Sequence, residues 1–316
     1  MFETMRDAFG RVLVELADQR DDFVVMDADV AGGTGTAVFR QAYPHRFIQC
    51  GIAEQNMFAA AAGLASTGLI PVVTCYAIFA AMRALDQARN AIAYPNFNVK
   101  IAVSHLGLDV GPDGATHQCL EDISIYRAIP NMRVISPADP VELAALVPWM
   151  LDNPGPCYLR TGRSPLPRVF EAGQDFPPGK ALRLRSGDDV AILAVGVMVH
   201  RALVAAQMLE AEGINSTVLN MSWIKPLDTE AVTEAAQHCG AIVTAEDHTI
   251  LGGLGGAVAE VLGERCPVPL QRVGIRDVFG ESGEPGDLAR AYGLDAPSIA
   301  QAVRGVLRRK ATGCWT

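Results

Sequence analysis

Cys50-Gly51-Ile52-Ala53-Glu54-Gln55-Asn56-Met57 sets a carboxylate where an apolar strand gives way to a helix. The strand candidate Arg46-Phe47-Ile48-Gln49 lies just before it, and the Ala- and Met-rich residues 55–66 read as a buried helix whose first turn begins at Glu54. A strand, a tight turn and a helix form the repeating step of an α/β fold. The same step recurs outward in both directions, with strand candidates at 23–26, 71–74, 99–103, 132–135 and 157–160 and helical stretches between them. The fold class is therefore α/β, with a largely parallel sheet.

From 163 to 189 the periodicity fails, and Pro165, Pro167, Gly173, Pro177, Pro178, Gly179 and Gly187 accumulate. We read domains at 1–165 and 189–316 joined by a linker at 166–188, the second opening on the apolar run 190–196 with strands at 216–219 and 241–245. A chain of 316 residues, half of them hydrophobic, can fill two separate cores. A net charge of −9 leaves no basic patch for nucleic acid. Seven cysteines without a Cys-x-x-Cys pair fit neither a disulfide framework nor a zinc site, and point to a reducing cytoplasm. The N-terminus has no basic-then-apolar leader, and each apolar run is too short to span a bilayer, so we expect no membrane association.

Three further features can carry chemistry. In Tyr76-Ala77-Ile78-Phe79-Ala80-Ala81-Met82, the residues Tyr76, Phe79 and Met82 are three apart and share one face, suited to stacking on a flat ring or to ordinary core packing. Gly111-Pro112-Asp113-Gly114-Ala115-Thr116-His117-Gln118, with His105 ahead of it, is a broken, polar loop able to line a cleft; an isolated histidine there would serve equally as a backbone cap. Arg6 and Arg160 are either two surface charges or an anion clamp with His105. Asp29 is a strand-end residue that could cap its own loop. Gly252-Gly253-Leu254-Gly255-Gly256 lacks the spacing of a dinucleotide loop and reads as a glycine-rich helix start.

In this order, the run around Glu54, the aromatic run and the Asp113–His117 loop resemble three successive signatures of the transketolase family. The family's Gly-Asp-Gly with a distant Asn, which holds Mg²⁺ and the cofactor's diphosphate, has no counterpart here. The resemblance therefore implies one subunit of a split enzyme: a pyrimidine-binding αβα sandwich followed by a transketolase C-terminal-like αβ domain. It implies thiamine diphosphate shared with an N-terminal, diphosphate-binding partner subunit that also holds Mg²⁺, so that no metal is ligated by this chain. Glu54 would hydrogen-bond the cofactor's pyrimidine nitrogen; left to itself it would be a first-turn glutamate stabilised by the helix dipole. Tyr76, Phe79 and Met82 would seat the cofactor, with Asp29 facing its other ring, although relatives commonly carry a third aromatic at Met82. His105, Arg6 and Arg160 would bind the sugar phosphate, Asp113 a hydroxyl, and His117 would lie near the reacting carbons. Gly32-Gly33 replaces a serine found in many relatives, which implies altered contacts to the substrate anion.

The implied activity is transfer of a two-carbon ketol unit from a ketose to an aldose, with Glu54 and His117 as catalytic residues. One rival keeps the cofactor: a 1-deoxyxylulose-5-phosphate synthase-like enzyme, or the beta subunit of a 2-oxo acid dehydrogenase, whose loop differs from Asp113–Gln118. Another rival is a cofactor-free regulatory or interaction subunit, against which the intact Glu54 and substrate loop argue. The implied assembly is a two-fold homodimer of this chain and a heterotetramer with its partner.

Overall fold

The computed structural model describes residues 4–165 and 167–313. The N-terminal three residues, Leu166 at the head of the expected linker, and Cys314 lie outside the described residues.

Six parallel strands build the first sheet: β1 (Phe23–Asp27), β2 (Phe47–Gln49), β3 (Ile70–Tyr76), β4 (Lys100–Ser104), β5 (Arg133–Ile135) and β6 (Cys157–Arg160). The second sheet holds β7 (Leu182–Arg185), β8 (Val190–Ala194), β9 (Ser216–Asn220), β11 (Ile242–Thr249) and β12 (Leu270–Ile275). Between them in sequence, β10 (Trp223–Lys225) returns to the first sheet and pairs antiparallel with β5. The orders are β10-β5-β6-β4-β3-β1-β2 and β12-β11-β8-β9-β7. Helices cover the faces of both, as crossovers between parallel strands require.

Two of these strands correct the sequence reading. β7 lies inside the stretch read as linker; its alternation Leu182-Arg183-Leu184-Arg185 is a strand signature overshadowed by the surrounding prolines, and it pairs antiparallel with β9 at the sheet edge. β10 comes from beyond the linker yet extends the first sheet. The two halves therefore interlock, and their cores do too. In β8, Ala191 and Leu193 join an apolar cluster with Val73, Ile101 and Tyr158 of the first sheet, while Val190, Ile192 and Ala194 face the opposite side and pack with Val199 and Ile299. One cluster thus spans both halves where separate cores were expected.

The helix Glu54–Ser66 forms as read, but it is buried on one side only. Glu54, Met57, Phe58, Ala61 and Ala62 face inward, whereas Ala59, Ala60 and Gly63 are exposed. Alanine suits either side of a helix, so its abundance does not report burial.

Candidate active site

β4, β3, β1 and β2 are adjacent and parallel, so their C-terminal ends open at one edge of the sheet. His105, Tyr76, Asp29 and Glu54 each sit at or just beyond one of those ends. Distant positions in sequence thus meet at the place where open α/β sheets bind ligands.

Glu54 begins its helix and is 1% exposed. Arg83 Nη1 donates to both carboxylate oxygens, at 2.9 and 2.8 Å. The same guanidinium lies over the Phe79 ring, 4.3 Å from its centroid. A π-helical turn, Phe79–Arg83, explains this placement. Its wider turn adds a residue relative to the spacing assumed from sequence, so Arg83 packs on Phe79 while Met82 is turned outward and is 47% exposed. The expected three-residue face Tyr76, Phe79, Met82 does not form.

Tyr76 stacks on His105, with centroids 3.7 Å apart, and on Phe79 at 6.0 Å. His117 sets its ring edge against Phe79 at 5.5 Å, while its Nδ1 shares a 3.0 Å hydrogen bond with the Thr116 hydroxyl. These four rings line one wall. His105 has left-handed backbone, φ +59°, and its Nδ1 lies 2.9 Å from the Ser104 hydroxyl. Burial, with the positive field of Arg163 next in size, pushes its pKa down to about 4, so the ring is neutral at physiological pH.

Asp113 is exposed and lies 3.3 Å from Arg163, whose guanidinium also donates to the Val110 carbonyl. Arg6 contributes to the field at His105; its Nε is buried, lies 4.0 Å from Asp7 Oδ1, and has no hydrogen-bond partner among the described residues. Asp29, φ +65°, is exposed, and its N–H donates to Gln49 Oε1 at 3.0 Å. Beneath it, Asp27 is the buried carboxylate, accepting from the Val30 N–H at 2.9 Å; burial raises its pKa.

Arg160 is a correction. It is 2% exposed, its Nε donates to Asp122 at 2.9 Å and its Nη2 to the Asp247 carbonyl at 3.2 Å, so it ties the two halves together instead of clamping an anion. All four residues of β6 are buried. Arg163, three residues on and past the strand end, takes the position beside Asp113 and His105. Its place in a polar loop was a usable signal. Asp247 was also missed: its carboxylate accepts from the N–H groups of Leu108 and Asp109, at 3.0 and 3.4 Å, and so holds the loop that leads to Asp113. Nothing local to β11 announces that contact. Among the described residues, no group of three or more His, Cys, Asp or Glu side chains is placed to hold a metal ion.

Residues 3–168 match the transketolase pyrimidine-binding domain, and residues 179–299 match the transketolase C-terminal domain. The chain is 44% identical over 306 residues to the 6-deoxy-6-sulfo-D-fructose transketolase subunit SqwH of Clostridium sp. (strain MSTE9), covering 97% of this chain and 95% of that one. It is 40% identical to the 1-deoxy-D-xylulose-5-phosphate synthase of Pelotomaculum thermopropionicum, but spans only 48% of that protein. Among solved structures, a split gene transketolase described as an inactive beta4 tetramer superposes with a TM-score of 0.91 at 47% identity, covering 97% of this chain and 99% of that one.

Proposed function

The chain belongs to the transketolase family, as a ketol-transferring subunit, and on that footing we propose that it is the pyrimidine-binding half of a split transketolase, active only with a separate diphosphate-binding chain. The observation that carries this is the convergence of a buried Glu54 with the Tyr76, Phe79, His105 and His117 rings at the C-terminal edge of one parallel sheet. Full-length coverage of relatives named as a subunit and as split-gene supports the division between two chains.

The residues fit the pyrimidine end of thiamine diphosphate. A buried carboxylate faces a half-exposed partner, flat ring faces lie beside it, and the wall at Gly33 is open enough that Tyr76 fills the space a side chain would take. When bound, the cofactor supplies the electron sink that lets a carbon–carbon bond next to a ketone break. Glu54 would accept the pyrimidine's hydrogen bond, and Tyr76 and Phe79 would pack on the ring. Neutral His105 can donate or accept without placing charge near the reacting carbons, and His117, edge-on to Phe79, is the second imidazole on that wall. Arg163 and Arg6 would bind the substrate's anionic group, with Asp113 reading a hydroxyl. Mg²⁺ and the diphosphate would be held by the partner chain.

Ile52, Ala59, Ala60 and Gly63, next to Glu54 and on the outer side of its helix, and Met82, beside Arg83, are exposed and support a covered face in the assembly, a homodimer through this chain and a heterotetramer with the partner. A cytoplasmic location completes the reading. No helix among the described residues is long and apolar enough to cross a membrane. The donor and acceptor are read as sugars, and the sulfosugar in the relative's name makes a sulfonate as reasonable an anion as a phosphate.

Reconstitution tests this. The chain with a diphosphate-binding partner should transfer a ketol unit, and Glu54→Ala should remove most turnover while leaving the complex assembled. Near-wild-type turnover by that variant, or full activity of the chain alone, would contradict the proposal.

A further inference from the structure

Glu54 is held by a single donor. Nη1 of Arg83 reaches both of its oxygens, and no other hydrogen bond meets either one among the described residues. A carboxylate buried to 1% exposure is costly without a partner, so something must face it. The partner is itself open to solvent: the Arg83 side chain is 44% exposed, and its guanidinium lies over Phe79, 4.3 Å from the ring centroid. A flat group that packs on Phe79 and donates N–H to Glu54 has the shape and the polarity of an aminopyrimidine held by the same two residues.

We propose that Arg83 is a stand-in for the cofactor ring: it occupies the place between Phe79 and Glu54 while the subunit is alone, and it must withdraw for the ring to bind. The inference rests on the reading of Glu54 as the pyrimidine's partner. Two features make withdrawal feasible. Arg83 ends the π-helical turn, and its long side chain already reaches solvent. The half-exposed side of the pair is screened, so parting it costs less than parting a fully buried one. Arg83 is thus a positioning residue with two opposed effects. It stabilises the lone chain by pairing a buried carboxylate, and it weakens cofactor binding by the fraction of molecules in which it must first move aside.

The test uses thiamine diphosphate as its probe and measures its Kd calorimetrically on the reconstituted complex, with thermal denaturation of the lone chain alongside. Arg83→Ala is expected to tighten the Kd by about tenfold and to lower the unfolding temperature of the lone chain, which adding Glu54→Gln should restore. An unchanged Kd places Arg83 off the cofactor's path and overturns the proposal. A weaker Kd makes Arg83 a ligand of the ring and overturns it as well. If Arg83→Ala does not fold, Arg83→Met keeps the stem over Phe79 without the donors and carries the same expectations. Glu54→Gln measured alone separates the two readings. If it binds cofactor and turns over as the wild type does, the role of Glu54 fails; if it is impaired while Arg83→Ala leaves the Kd unmoved, only the stand-in fails.

Discussion

The Tyr76 ring lies on His105 with 3.7 Å between centroids and 24° between planes, and the stack seals a histidine that is 3% exposed. Sealing decides its charge. With its pKa pushed down to about 4 by burial and by Arg163, the imidazole stays neutral well below physiological pH. NMR of His105 should show no titration between pH 8 and about 5. In the unfolded chain the group titrates near 6.5, so between about 4 and 6.5 the unfolded state binds more protons, and this contribution to stability is lost as pH falls through that window. The advantage of wild type over His105→Asn in urea denaturation should therefore shrink on acidification. A His105 signal titrating near 6.5 contradicts the seal.

Gly33 keeps the Tyr76 ring in place. A Cβ there would lie 2.3 Å from Tyr76 Oη and 2.8 Å from Cε1, and the ring is pinned between His105 and Phe79, so it cannot give way freely. Gly33→Ala should cost about 1–3 kcal/mol in urea denaturation and weaken cofactor binding. Gly32→Ala, where a Cβ meets nothing within 4 Å, is the control and should be near neutral on both counts. Equal effects of the two would remove the ring from the argument.

Arg160 and Arg163 should separate cleanly. Arg160→Met removes the cation beside the fully buried Asp122 carboxylate and leaves it only the Tyr158 hydroxyl among the described residues, and should lower stability by about 3–5 kcal/mol while leaving the KM of folded enzyme for an anionic ketose little changed. Arg163→Ala should do the reverse, raising KM by about tenfold or more. The opposite pattern would return Arg160 to the substrate site.

Asp247 holds the substrate loop from across the domain boundary. Removing its carboxylate leaves the Leu108 and Asp109 N–H groups unmet, and Asp247→Ala should cost about 1–3 kcal/mol. Hydrogen exchange at those two amides should accelerate before the rest of the first sheet is affected. Unchanged protection would mean that the loop is held by its own contacts.

Much of this was legible beforehand because its signals are local. A run such as Val99 to Val103 between turn residues specifies a buried parallel strand from its neighbours alone, and all six strands expected in the first half begin within one residue of their observed positions. β7 and β10 escaped for different reasons. The first is an edge strand among prolines, and the second joins a sheet whose other strands end at Arg160 or earlier, 63 residues or more before Trp223. Pairing across that distance leaves no periodic trace in sequence.

Residue order alone determined that Glu54 opens a helix, that a strand runs through 71–74 just ahead of Tyr76 and that His105 and His117 flank a glycine-rich loop, since each follows from spacing, turn chemistry and helix propensity within a few residues. Which cation would face Glu54, which arginine would stay available to an anion, and which side chain would hold the loop were decided only on folding. A π-helical turn moved Arg83 onto Phe79 in place of Met82, burial of β6 consumed Arg160 and left Arg163 free of the core, and the packing of the second sheet against the first delivered Asp247 to Leu108. Each of those outcomes rests on side-chain direction and burial, which depend on contacts between segments far apart in the chain.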